Sequence, residues 1–390
     1  MIAHNILFHE RQSESNGSEF DLPLVLFVGI LLFAGAMLVM SSSAAIAYAK
    51  DSYTLSIFLK HLMRMGIGVA LMVGLAFYDY HRLERIASPL LVMTLFLLLL
   101  VLLWPLKQGA SSHRQLFLGP LNLQPAEVAK FSVVLYLAYC LSYWRADSFS
   151  GIDKHLIFRC LLPIGLGVGL ILCETNLSMA VIILASALTM LFLAGVSMKI
   201  LGKIMLAASP VLAIVAWAIP YTRGRLVGYW TGILEPSQAR FHTRQSLIGL
   251  GKGGLFGQGP GQSTWAYSHL PIPHKDSIFS VLGEELGFLG CVVLLVIFAL
   301  FFWRGMKIAR NAPDLFGYYL AHGILLVIAC TFFINVGVAV GLLPPTGQPL
   351  PFVSYGGSSL VMSLASVGIL LNISRQGVCA EEDSLESSLP

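Results

Sequence analysis

Charge is what this chain has least of. Only 11% of its 390 residues are Asp, Glu, Lys or Arg, against roughly 25% in soluble domains. That shortage excludes an ordinary soluble globular fold. Cysteine is scarce as well. The six (Cys140, Cys160, Cys173, Cys291, Cys330 and Cys379) lie in or beside apolar runs, or in the tail. They show no CxxC and no paired loop spacing, which argues against a disulfide frame or a zinc site and for small buried hydrophobes. The net charge of +4 is small and dispersed, so nucleic acid is not an expected partner. Residues 1–21 carry Glu10, Arg11, Glu14, Glu19 and Asp21 but no basic n-region with a short apolar core. The first apolar stretch is therefore expected to stay as a helix and not to be cleaved. No short-period repeat is present, and the two halves show no convincing internal match.

What the chain has is apolar length. Hydrophobic residues make up 56% of it, with a mean hydropathy of +0.79. Runs long enough to span a bilayer recur at about 23–44, 58–78, 87–106, 124–143, 158–174, 177–195, 200–220, 278–303, 316–341 and 354–374. Backbone groups in lipid must be satisfied within the segment, so each run has to be helical. The expected fold is all-α: a polytopic integral membrane protein with about ten transmembrane helices in 22–375 and one long extracytoplasmic loop over about 221–277. Residues 1–21 form a polar cytoplasmic N-terminus and 376–390 an acidic tail that reads as disordered. Gly165, Gly167 and Gly169 in the fifth run suggest close helix packing. Short loops on one side hold Arg82, Arg85, Arg145, Lys154, Lys199, Lys203, Arg304, Lys307 and Arg310, and the other side holds only Lys50, Lys107 and Arg114. Positive residues stay inside, so both termini are expected in the cytoplasm. Lys60 and Arg64 then lie near the outer end of the second span, where long basic side chains snorkel.

Four groups of residues could carry chemistry. Glu127 and Lys130, behind Pro125, share a helix face and can pair; ionisable groups this deep suggest function by default, while a structural ion pair explains them equally well. In the long loop, Gly249 to Gly254 formally matches G-x-G-x-x-G. It opens no βαβ unit, so a dinucleotide site is excluded. What survives is a choice between a flexible surface loop and glycine amides approaching an anion beside Arg244 and Lys252. His242, His269 and His274 match no metal-ligand spacing. Asp276 stands where the loop meets the eighth span. It reads as a helix N-cap, as a catalytic carboxylate, or as both. Finally, four prolines within Pro344 to Pro351 make the stretch after Asn335-Val336-Gly337 a stiff connector rather than a helix.

The connector's string invites comparison. Gly347 to Leu360, with Ser354, Gly356, Gly357 and Ser358, resembles the SEDS family (shape, elongation, division and sporulation). So do Leu123 to Lys130, Gln245-Ser246, the Gly-rich run to Gly261 with Ser263, Leu270-Pro271 through Asp276 to Phe279, and Gly283 to Gly287. Ser41-Ser42-Ser43 is similar to the family's division type. The likeness covers about 22–376. It implies a ten-helix peptidoglycan glycosyltransferase that polymerises lipid II on the outer face of the bacterial inner membrane, at the division site, beside a class B penicillin-binding protein transpeptidase and other division-complex proteins. It implies Asp276 as the catalytic residue and Glu127 with Lys130 lining the same cavity. Arg244, Gln245, Ser246, Lys252, Ser263, Ser354, Gly356, Gly357 and Ser358 are the further candidates for binding the substrate or stabilising its charge. A divalent cation, Mg²⁺ or Mn²⁺, fits a diphosphate leaving group, although no metal-ligand set is assigned. The chain departs from the family's pattern at Ser112 to Gln115, at Asn176 where the family has Asp, at Trp265-Ala266, and at Ile272. Competing readings are an elongation-type polymerase, a lipid II flippase and a non-catalytic scaffold.

Overall fold

The computed structural model describes residues 20–50, 54–103, 116–118, 121–143, 156–235, 241–263 and 275–386. All ten expected spans are helices. They are α1 (Leu22–Lys50), α2 (Thr54–Phe77), α3 (His81–Leu103), α4 (Pro125–Ser142), α5 (Leu162–Cys173), α6 (Leu177–Leu193), α7 (Met198–Ala218), α10 (Ile278–Arg310), α11 (Leu315–Ala339) and α12 (Gly357–Glu386). One π-turn, Leu156–Leu161, leads into α5. Two more helices, α8 (Pro220–Leu234) and α9 (Phe241–Gly253), stand in the long polar segment. A small antiparallel hairpin pairs β1 (Leu116–Leu118) with β2 (Leu121–Leu123). Among the described residues seven helices are long and apolar enough to cross a membrane; α4, α5 and α6 are shorter. The chain is a multi-pass membrane protein.

Small residues set the closest packing, but not the ones expected. In α5, a Cβ at Gly165 or Gly169 would meet nothing within 4 Å, and at Gly167 only Leu95 at 3.5 Å. Gly165 and Gly169 face open space and Gly167 makes one ordinary contact, so the unusually close packing expected there is not found. The tight seam is instead between α2 and α12, where a Cβ on Gly368 would lie 2.3 Å from the Met72 carbonyl oxygen and one on Gly68 would lie 2.6 Å from Leu364. Between α10, α11 and the connector, Phe298, Phe301, Phe332 and Phe352 form an aromatic interior with centroid distances of 4.3–6.5 Å.

At the end of the bundle away from Asp276, polar side chains fasten helix to helix. Asp314 caps α11 by accepting the Gly317 N–H and also takes the Tyr80 hydroxyl and His81. Asn372 of α12 accepts the Tyr80 N–H and donates to the Ala76 carbonyl. The Gln376 amide donates to Asp79, and this bond is the main reason the Asp79 carboxyl is held down to about 2. Asp21 accepts the Leu24 N–H and both its oxygens take the Arg304 Nε–H at 2.8–2.9 Å.

At the Asp276 end the glycine-rich stretch has a different purpose from the one the sequence suggested. Gly249 to Gly253 lie inside α9, so their amides belong to a helix and form no anion cradle. The α10 helix breaks at Gly287, whose φ is 68°. The freed carbonyls of Glu284 and Glu285 accept the N–H groups of Gln258 and Gly259, and the N–H groups of Phe288 and Leu289 donate to Gly254 and Leu255. Backbone meets backbone here. A Cβ on Gly253 would lie 1.8 Å from the Gly283 oxygen, and one on Gly257 would lie 2.1 Å from the Glu285 oxygen. The two glutamates that interrupt this span are buried: Glu284 takes the Ser263 hydroxyl at 2.8 Å, and Glu285 takes that of Ser41 on α1.

This clasp has a mutational signature. Gly253→Ala has to move backbone and should destabilise by about 1–3 kcal/mol, as overpacking does. Gly251→Ala, two residues earlier with nothing within 4 Å of its Cβ, should be neutral or stabilising by up to about 1 kcal/mol, because alanine favours helix. Thermal unfolding of both variants in detergent checks the contrast.

Candidate active site

The site is assembled around the connector from Gly341 to Gly356. Asn335, near the end of α11, donates its side-chain N–H to the Asp276 carbonyl at 3.1 Å and to the Gln348 carbonyl at 2.7 Å. One amide therefore ties the start of α10 to the connector. The Asp276 carboxylate turns the same way, with Oδ2 3.5 Å from the place a Cβ would take on Gly347. A Cβ at 347 would be in ordinary contact with the carboxylate. The helix α10 starts at Ile278, with Ser277 in the N-cap position and no side-chain cap bond from it, one residue past the acid. The carboxylate of Asp276 is half-buried and is aimed at the connector.

Around it, buried polar atoms have no hydrogen-bond partner among the described residues: Asn335 Oδ1, Thr346 Oγ1, Gln348 Oε1 and Ser280 Oγ. Folded proteins leave few such groups, and each needs an explanation. A polar ligand beside Asp276 supplies one. On α9, Gln245 Oε1 and Ser246 Oγ are in the same condition.

The connector then reaches α4. Ser358 Oγ accepts the Gln124 N–H at 3.1 Å, which positions the first turn of α4 behind Pro125. One turn in, Lys130 Nζ and Glu127 Oε2 are 2.8 Å apart, with side chains 6% and 3% exposed. Their shared face, expected from the spacing, is as observed. A cavity of about 30 Å³ lies beside them, lined among others by Phe131, Thr331, Pro351 and Ser363. A buried pair of this kind is held by its geometry, because removing one partner strands the other charge.

Other candidates take structural positions. Ser354 Oγ accepts the Leu350 N–H at 2.9 Å and closes the turn; Ser263 is committed to Glu284. A Cβ on Gly356 would press Pro349 at 3.1 Å, while Gly357 opens α12. Arg244 and Lys252 are both exposed. Arg244 lines a separate cavity of about 440 Å³ with Tyr229, Leu247 and Gly341, so the two cations and the glycine amides do not form one anion site. Asn176, at the turn between α5 and α6, is buried and makes no side-chain cap for α6. The side chain of His242, and His269, His274, Ser112 to Gln115, Trp265, Ala266 and Ile272, lie outside the described residues.

Among the described residues no three His, Cys, Asp or Glu side chains converge on a common point. Asp276 could offer a divalent cation one carboxylate, fewer protein oxygens than such an ion takes from a dedicated site. Sequence reasoning named Asn335 only as the head of the Asn335-Val336-Gly337 string and gave it no role. Its two carbonyl partners are 59 and 13 residues away.

Known proteins can now be set beside this geometry. The chain is 37% identical over 364 residues to a probable peptidoglycan glycosyltransferase FtsW of Geobacter sp. (strain M18), covering 91% of this chain and 96% of that protein. It is 36% identical to stage V sporulation protein E of Bacillus subtilis (strain 168), covering 91% and 97%. Among solved structures it resembles a chain of a peptidoglycan synthase complex coordinating polymerization and crosslinking, with TM-score 0.73 and 26% identity over 92% of this chain and 98% of that one. It also resembles the rod shape determining protein RodA of Thermus thermophilus, with TM-score 0.66 and 28% identity over 92% and 97%. The family described as cell cycle protein, which joins FtsW, RodA and SpoVE, matches residues 22–378, and the chain belongs to it.

Proposed function

We propose that the chain is a peptidoglycan glycosyltransferase that polymerises lipid II on the outer face of the bacterial cytoplasmic membrane, in the septal role of its division-type relatives. The observation that carries this reading is the Asp276 carboxylate beside Gly347, near buried polar atoms that have no hydrogen-bond partner among the described residues. The charge bias of the short loops puts that end of the bundle outside and both termini inside. The relatives named as peptidoglycan glycosyltransferases supply the substrate class. Likeness to a chain of a peptidoglycan synthase complex supports a class B penicillin-binding protein as partner.

In the reaction, Asp276 takes the proton from the sugar 4-hydroxyl of one lipid-linked disaccharide. The oxygen attacks the anomeric carbon of the growing glycan, and the bond to undecaprenyl diphosphate breaks with its electrons leaving on the phosphate. Asn335 fixes the main chain of the base. Lys130 supplies positive charge towards the leaving group, and Glu127 fixes Lys130 within the bundle. Lys275, adjacent to the base, is a further cation at the mouth.

Asp276→Asn keeps the shape and removes the base. It should lower glycan formation from labelled lipid II by roughly 10²–10⁴-fold, with an unfolding temperature near that of wild type. Near-normal polymer on a gel would remove Asp276 from this role, and translocation of lipid II in vesicles without polymer would make the protein a transporter.

A second test separates the two explanations of the buried pair. Glu127→Ala or Lys130→Ala alone should destabilise by about 3–5 kcal/mol, and joint replacement by apolar residues of similar volume by much less. If the pair serves only packing, the double variant should still make glycan. The mechanism above requires that it be folded and inactive.

A further inference from the structure

Arg64 lies seven residues into the second candidate span, which begins at Ile57. It does not snorkel. It is 8% exposed, and its guanidinium is seated on the Tyr355 ring with Cζ 4.9 Å from the centroid. Stacking sets the plane of the group without neutralising it. Lys130 has Glu127 and Arg304 has Asp21, yet among the described residues no carboxylate lies within ion-pair distance of Arg64. Its neighbour on α2, His61, is buried against the same Tyr355 ring at 5.9 Å and offers no negative charge.

What Arg64 faces makes the imbalance larger. Its Cζ and Nη1 lie 3.5 Å from where a Cβ would stand on Gly357, the first residue of α12. The amides of Gly357, Ser358 and Ser359 precede the first i→i−4 bond of this helix, from the Leu360 N–H to the Gly356 oxygen. A helix N-terminus carries a partial positive charge. A buried guanidinium and a helix N-terminus therefore meet face to face, and both want the same thing: an anion.

We infer that Arg64 and the N-terminus of α12 form an anion subsite that takes the diphosphate of the lipid-linked substrate. This rests on the glycosyltransferase reading above and adds a named subsite to it. The connector supplies the geometry. Gly347 is against Asp276, Pro349 is against Gly356, and Gly357 is against Arg64, so one short string carries the base at one end and the anion site at the other. Ser358 continues it to Gln124 and so to the turn bearing Glu127 and Lys130. Arg64 presents a planar fork suited to two phosphate oxygens, and glycine at 357 leaves the room that a side chain would fill.

The test measures binding to the full chain in nanodiscs, with fluorescent lipid II as probe and undecaprenyl diphosphate as competitor. Arg64→Gln should weaken the affinity for undecaprenyl diphosphate at least about tenfold, the scale of losing a charge-assisted contact. Arg64→Lys, which keeps the charge and loses the fork, should fall between Arg64→Gln and wild type. If Arg64→Gln does not fold, the lysine variant decides, and wild-type affinity in it overturns the subsite. Affinities within twofold of wild type in both variants overturn it as well. So does a loss confined to competition by phosphatidylglycerol, because the site would then hold a bilayer headgroup. A separate polymerisation assay on the wild type tells the two failures apart: glycan made by a chain whose Arg64 variants bind normally sinks only the subsite. Absence of both glycan and diphosphate binding sinks the reading beneath it.

Discussion

A helix that breaks inside a membrane must find protein partners for the backbone groups it frees, because lipid offers none. At Gly287 α10 breaks, and the segment after α9 fills the break with four main-chain hydrogen bonds. Everything at the Asp276 end depends on that pairing. The acid stands two residues before α10, and the first turns of that helix are held on one side by the residues from Gly254 to Gly259, which lie flat against them. Side chains are excluded from the contact by distance alone. This is why glycine appears at 253, 257 and 287, while glycine at 283 makes room for the Leu250 side chain. The buried Glu284 and Glu285 accept serine hydroxyls from two other parts of the chain.

A second dependency runs through the connector. Its prolines remove helix-forming freedom, and its glycines allow neighbours to approach. Asn335, Pro349, Ser354 and Ser358 then bond or press it to α11, to itself and to α4. The acid precedes α10, and the buried ion pair and the guanidinium come from α4 and α2, far apart in sequence. The connector meets the acid at Gly347 and the guanidinium at Tyr355, and its Pro351 lines a cavity together with the ion pair. Its rigidity is therefore a property of the site and not merely of a turn.

The spans were legible because lipid imposes a single rule on every one of them, and hydropathy reads that rule directly. Glu127 and Lys130 were legible as a pair because their spacing of three fixes a shared face before any tertiary contact exists. Asp276 was legible as a site only through family resemblance. Local sequence made it an N-cap, and helix starts are uncertain by a residue. The helices α8 and α9 were not legible: they are short and rich in polar residues and glycine, and α9 packs along α10. The glycines of α5 and of the 249–254 stretch were misread for the same reason. A glycine shows that something approaches closely, or that nothing does, and only the partner decides which. Arg64 looked like a snorkelling cation because its surroundings come from α12, three hundred residues later.

Ser263 is fastened to Glu284 on the opening turns of α10, and Asp276 stands two residues before that helix begins. The residues that flank 264–274 are thus both anchored at the start of one helix. Closing a loop depends only weakly on its length, so insertions between these two anchors need not shift either of them. Sequence can drift there while the acid keeps its place.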